Sequence, residues 1–210
     1  MRITAALISL ALMTGPAAAQ SGEWQYDATM FLWLPTTKVG VDTPRGTVSD
    51  ELSVSDALDA LDFAFMGTFE ARRDKLSFIT DLVYTDLTAD QNTPFGGLFT
   101  QAAVANHLTF LTALGAYRVH EDSKFAVDVG GGLRAYWTDV TVTLTGGLLP
   151  TERHSTSDSW VDPIVAVRAR ARLSDKWFTT LYLDGGGFGV GSEQTYQAAA
   201  LLGYEASERW

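Results

Sequence analysis

The sequence predicts an all-β fold: an antiparallel up-and-down transmembrane β-barrel of eight strands, or ten in a complete chain, with one short helix in its first outer loop. Three observations carry this. From Trp24 onward, apolar and polar residues alternate in successive segments, the period-2 mark of strands with one greasy face. The segments are separated by Gly/Asp/Ser turns that are alternately long and short. An export signal precedes them, and no later stretch is apolar for the ~20 residues that a spanning helix needs.

The signal reads as follows. Arg2 supplies a positive start, Ile3 to Met13 is a short apolar run, Thr14-Gly15-Pro16 breaks it, and Ala17-Ala18-Ala19 offers the small residues a signal peptidase selects. Cleavage is expected before Gln20. Residues 1–19 are then the signal peptide and 20–210 the barrel domain, which this sequence would truncate at its C-terminus.

Composition narrows the field. The formal net charge is −10, from 15 Lys+Arg against 25 Asp+Glu, and loss of Arg2 makes it −11. Nucleic-acid binding is not expected, because phosphate contacts need clustered cations. There is no cysteine, and a closed barrel needs no disulfide because it has no free edge. Nineteen Gly, 11 Phe, 7 Tyr and 6 Trp suit tight turns and aromatic girdles.

The strands are expected in order. Trp24–Leu34 is the first, with Tyr26, Ala28, Met30, Leu32 and Leu34 on one face. Residues 35–52 are a loop with room for a short hairpin. Over 53–62, Ser53 or Ser55 offers a cap and Val54, Leu58 and Leu61 share a helical face, which predicts about two turns of helix over the barrel mouth. Phe63–Arg72, Leu76–Leu87, Ala103–Arg118, Phe125–Leu144, Asp158–Leu173, Trp177–Phe188 and Gln194–Ala206 are the other seven strands. The loops at 35–62, 88–99 and 145–157 are long, the turns at 73–75, 119–124 and 174–176 are short, and only the loop at 189–193 breaks the alternation. Short turns belong on the periplasmic side, which puts the N-terminus there. Leu173-Ser174-Asp175-Lys176-Trp177 recurs as Ala206-Ser207-Glu208-Arg209-Trp210. In the first copy the Trp opens a strand, so a further hairpin is expected beyond Trp210.

Trp160-x-Asp162-Pro163-Ile164-Val165, the Arg-bearing strand after it, Leu173-Ser174-Asp175-Lys176-Trp177 and Asp184-Gly185-Gly186-Gly187-Phe188-Gly189-Val190-Gly191-Ser192 resemble the second half of a family of proteobacterial outer-membrane β-barrel proteins, near OmpA-like and OmpW-like small barrels. Trp24-x-Tyr26-x-Ala28 and Phe69-Glu70-Ala71-Arg72-Arg73 fit the same pattern. The resemblance implies a location in the outer membrane, contact with its lipid and lipopolysaccharide, and folding by the barrel-assembly machinery. Family members run on past the point where this sequence stops. Its motifs mark turns and strands and carry no catalytic signature.

The polar face holds the candidate functional residues. Asp27, Glu70, Asp81, Asp128, Asp162, Asp184 and Glu205 are expected to point inward, with Arg72, Arg134, Arg168, Arg170 and Arg172 as their counter-charges. A small barrel is filled by its side chains, and unpaired buried charge is costly. A salt-bridged interior is therefore expected over the sharper alternative, an Arg168/Arg170/Arg172 ladder lining an anion-selective pore. His107 is assigned to the inner face, and His120 and His154 to a turn and a loop. His154-Ser155-x-Ser157-Asp158 has the residue types of a lipid-modifying acyltransferase or deacylase, but sequence neighbours do not make a triad. The glycines of 184–191 lead into a strand, where a phosphate loop would lead into a helix. Asp42, Asp50, Glu51, Asp56, Asp59 and Asp62 make the first outer loop acidic without a calcium-loop spacing. The expected role is structural, small-ligand-binding or minor solute passage by a monomer, with no catalysis, cofactor or metal. A lipid-modifying enzyme and a soluble, secreted lipocalin-like carrier are the alternatives.

Overall fold

A computed structural model describes residues 4–8, 22–43, 46–52, 60–92 and 97–204, with backbone only at 4–8, 32–52 and 91–92. Eleven strands account for it: β1 (Thr4–Ile8), β2 (Gln25–Met30), β3 (Leu32–Thr43), β4 (Gly46–Leu52), β5 (Leu61–Arg73), β6 (Leu76–Asn92), β7 (Phe99–Glu121), β8 (Phe125–Gly146), β9 (Glu152–Arg172), β10 (Trp177–Gly186) and β11 (Thr195–Tyr204). Eight of them form one antiparallel sheet in the order β11-β10-β9-β8-β7-β6-β5-β2, and β1-β3-β4 form a second, small sheet. The all-β, up-and-down, eight-stranded expectation is what the large sheet displays.

The sheet is curled. β5 and β9 have three strands between them, so in a flat sheet they would lie about 19 Å apart at ~4.8 Å per step. Arg168 on β9 nevertheless donates to Glu70 on β5 at 2.6 Å. β2 and β11 are the sheet's two edges, and among the described residues no ladder joins them.

Alternation sorts the side chains. Phe65, Phe69, Phe78, Leu111, Val129, Leu133, Val161, Val165, Leu181, Leu183 and Leu202 are exposed on the convex face. The concave face buries two apolar clusters, Ile79, Leu114, Ala116, Ile164 and Ala166 in one and Met66, Val83 and Phe110 in the other. Glycine lets neighbouring strands come close at Gly132 and Gly186. A Cβ there would run into the Ala113 and Pro163 carbonyl oxygens respectively.

Several elements differ from expectation. The first strand is two: β2 joins the large sheet, while β3 leaves it after Phe31, whose N–H still bonds the Met66 carbonyl at 3.1 Å. β3 pairs with β4, which is the hairpin the first loop had room for. Thr4–Ile8, inside the expected signal, pairs with β3 from Leu32 to Thr36. Of the expected 53–62 helix, 53–59 lie outside the described residues, and Leu61-Asp62 open β5. Much of the expected 88–99 and 145–157 loops is strand. β6 runs on to Asn92, β7 starts at Phe99, and β8 and β9 pair out to Leu144 and Glu152. Few of these residues are branched at Cβ, Thr88, Thr145 and Thr156 among them, so the extension comes from pairing with the neighbouring strand and not from intrinsic preference.

Candidate functional site: a layered, charge-paired interior

Along β7, β8 and β9 the interior alternates charged and apolar groups, from Arg118, Asp128 and Arg168 through Ala116, Leu114, Ile164 and Ala166 to Arg134. At the short-turn end, Asp128 on β8 faces Arg118 on β7 and Arg168 on β9. Asp128 Oδ1 accepts from Arg118 Nε at 2.8 Å, and Oδ2 from Arg168 Nη2 at 2.8 Å and Arg72 Nη2 at 3.2 Å. Glu70 accepts from Arg168 Nη1 at 2.6 Å and from Arg72 Nη2 at 2.7 Å. Three guanidiniums and two carboxylates thus share one network, which Arg118 extends to the exposed Glu121 at 2.6 Å. Charge-assisted bonds of this kind are short and directional.

Above this layer comes the apolar cluster of Ile79, Leu114, Ala116, Ile164 and Ala166, with Tyr182 packed against it. The next layer centres on Arg134 and Asp184, whose side chains are 3% and 0% exposed. Arg134 Nη1 donates to Asp184 Oδ1 at 3.2 Å, Nη2 to Gln197 Oε1 at 2.8 Å and Nε to Thr112 Oγ1 at 2.8 Å. Asp81 belongs to the same height, since it is the cross-strand partner of Thr112. It accepts the Thr68 hydroxyl at 2.9 Å. Then Met66, Val83 and Phe110 fill the section. Tyr136 lies 5.7 Å from Phe110 and stacks on Trp160 at 4.8 Å.

The loop between β10 and β11 folds onto this upper end. Asp162, wholly buried, accepts the Ser192 N–H and hydroxyl, both at 2.7 Å, and the Trp160 indole at 3.3 Å. The Tyr136 hydroxyl meets Thr195 Oγ1 at 3.0 Å. Phe188, Gly187 and Gly189 have positive φ, which lets the loop turn back sharply.

The structure brings Glu70, Arg72, Asp128 and Arg168 into one cluster and Arg134 and Asp184 into another. Asp162 is apart from both in its contacts. Asp27 sits beside Glu70 across the β2–β5 ladder. Arg170 is exposed, with its guanidinium 4.2 Å above the Phe178 ring, and Arg172 is exposed at the strand's end. Glu205 lies outside the described residues. Arg168, one member of the expected basic ladder, is held by two carboxylates.

One assignment is corrected. His107 does not face inward: it shares the outward register of Leu111 and Tyr117 and lies 3.3 Å from Asp86. On β7 the apolar residues Phe110, Leu114 and Ala116 point inward, because the space between the charged layers is apolar and must be filled. For the same reason Arg118, in step with them, was not foreseen as an interior charge. Gln197, Thr112 and Tyr136 were missed too, since neutral polar residues on a polar face look alike in sequence. His154, Ser155, Ser157 and Asp158 run in file along β9 and do not converge, and Ser155 Oγ is 3.1 Å from Thr141 Oγ1. Among the described residues no group of three or more His, Cys, Asp or Glu could hold a metal ion. No family model and no curated protein matches this chain.

Proposed function

We propose that this chain is an outer-membrane β-barrel protein with a structural or small-ligand-binding role and at most minor solute passage, without catalysis. The observation that carries the reading is the inversion of its faces: the exposed surface is apolar and the interior is charged and paired. A soluble carrier of apolar ligands would have the reverse. The outward apolar residues of β8 run from Phe125 to Trp137, about 40 Å along the strand at ~3.3 Å per residue. A tilt of ~45° brings that to roughly 28 Å, close to the ~25 Å apolar band of such barrels. Rings gather at both ends of the band. Trp24–Phe78 and Trp177–Tyr204 lie at the short-turn end, and Phe63–Tyr84 at the other.

The layered interior supports a filled barrel over a channel, because each ionic layer is separated from the next by close-packed apolar side chains. The resemblance noted in the sequence agrees with this reading, and with lipid, lipopolysaccharide and the barrel-assembly machinery as its partners. If the leader is removed on export, β1 leaves with it and β3 keeps only β4. The test is electrophoresis of outer-membrane fractions. The folded protein should run at a different mobility when unheated than after boiling, and recovery in the soluble periplasm would overturn the reading. In planar bilayers the purified protein should give no sustained large conductance.

A further inference from the structure

On the outward surface the apolar band stops at a definite height. One outward step beyond Tyr84 and Trp137, the registers set Asp86, His107, Asp139 and Ser157 in a single row across β6, β7, β8 and β9. Against this row lies a cavity of about 310 Å³, lined by Trp137, Thr138, Asp139, Ser157, Asp158 and Ser159. Trp137 is 46% exposed. Trp24, Trp160 and Trp177 each pack against another ring, whereas Trp137 has no ring partner among the described residues. The side chains of Asp139, Ser157 and Ser159 likewise have no hydrogen-bond or ion-pair partner there. An open indole face therefore adjoins a carboxylate and two hydroxyls, all with unused bonding capacity.

We infer that this cavity holds a neutral sugar ring of a lipid-anchored saccharide in the outer leaflet. The inference rests on the membrane reading above. A sugar ring has an apolar C–H face, which suits a flat aromatic surface, and a rim of hydroxyls, which suits carboxylate and hydroxyl partners. The volume lies at the small end of ligand pockets, enough for one or two rings. Depth selects the source: a girdle aromatic sits at headgroup level, so a cavity just above it meets the sugars of a glycolipid. Charge selects against phosphate, because Asp139 lines the cavity and Asp86 is two strands away in the same row.

The experiment measures binding of the detergent-folded full chain to three probes: rough lipopolysaccharide with its core sugars, lipid A without them, and free lactose. Saturable binding to the core-bearing form is expected. Trp137→Ala and Asp139→Ala should each weaken it about tenfold, the scale of one aromatic or one charge-assisted contact. Trp137→Phe, which keeps a ring, should stay near wild type. Equal affinity for lipid A, or undiminished binding by Trp137→Ala, overturns the site. Lactose bound as tightly as the lipopolysaccharide overturns the lipid-anchored source. Every variant is first scored for heat-modifiable mobility. Its absence in the wild type would count against the barrel itself, and its presence with no sugar dependence would count against the site alone.

Discussion

Arg134 shows how closely a buried charge here depends on its partners. All three of its guanidinium nitrogens are used, by Thr112, Asp184 and Gln197, and neither it nor Asp184 meets solvent appreciably. Removing one side of such a pair leaves an uncompensated charge, at a cost of roughly 3–5 kcal/mol. Asp184→Ala should lower the free energy of unfolding, measured by urea titration, by that amount. Arg134→Met with Asp184→Leu should recover most of it, because neither charge is then left alone. At the opposite extreme, Asp122 lies in the exposed β7–β8 turn. Its carboxylate accepts the N–H groups of Lys124 and Phe125, each at 2.8 Å, and lies 3.2 Å from His120 Nε2. These bonds, Lys124's first, hold its pKa below the usual carboxylate value of 3.8. A depressed folded pKa means the bonds stabilise the turn fully above the unfolded value and are lost as pH falls through the folded one. The difference in thermal unfolding between wild type and Asp122→Ala should be constant above pH 5 and close below 3.8. The inward acids and bases other than Arg118 were legible in the sequence because charge on alternate positions is conspicuous. Their partners were not, since Arg168 reaches Glu70 across three intervening strands and only curvature determines that.

At the scale of elements, period-2 alternation identified every strand of the large sheet, but it did not say where they end. β9 starts six residues earlier than the sequence suggests and pairs with β8 through Glu152, His154, Ser155 and Ser157, where polar residues occupy both faces of β9 and the sequence reads as loop. The alternation also failed to orient β7, since a strand with apolar fill inside and a His outside mimics its own inverse. The β10–β11 loop was read only as Gly-rich. It is held in place by Asp162, and Gly191 sits so close that a Cβ would meet the Val161 oxygen at 2.6 Å. Asp162→Ala removes the acceptor for three donors, and should free the loop while leaving the distant Arg168 network in place. Limited chymotrypsin digestion should then cut after the exposed Phe188 at least several-fold faster than in wild type, as expected when local opening becomes easier. Unchanged cleavage would mean that the backbone turn, with its positive φ at Gly187, Phe188 and Gly189, suffices on its own.

For the whole molecule the sequence foretold the apolar band, because outward and interior residues obey opposite rules along the strands other than β7. It did not foretell the layering of the interior, which is a product of register between strands far apart in sequence. The band makes a depth-dependent prediction. Leu133, exposed on β8 within the band, should lose roughly 2–4 kcal/mol of folding stability on Leu133→Arg, whereas Thr145→Arg, near the tip of the same strand, should cost only about 0–1. Equal penalties, measured by reversible unfolding in phospholipid, would contradict the membrane reading.

The strands differ greatly in length: β7 has 23 residues and β8 22, against 6 in β2 and 10 in β11. The long ones are neighbours, and the short ones flank the seam. If the proposed outer-membrane location holds, a protein so built has a front and a back in the plane of the bilayer. From one side a neighbour meets a high screen topped by Leu148, 82% exposed. From the other it meets a low sill where, among the described residues, β2 and β11 each have one edge without a strand partner, so lateral encounters in a crowded bilayer would be directional even for a molecule that turns freely about its axis.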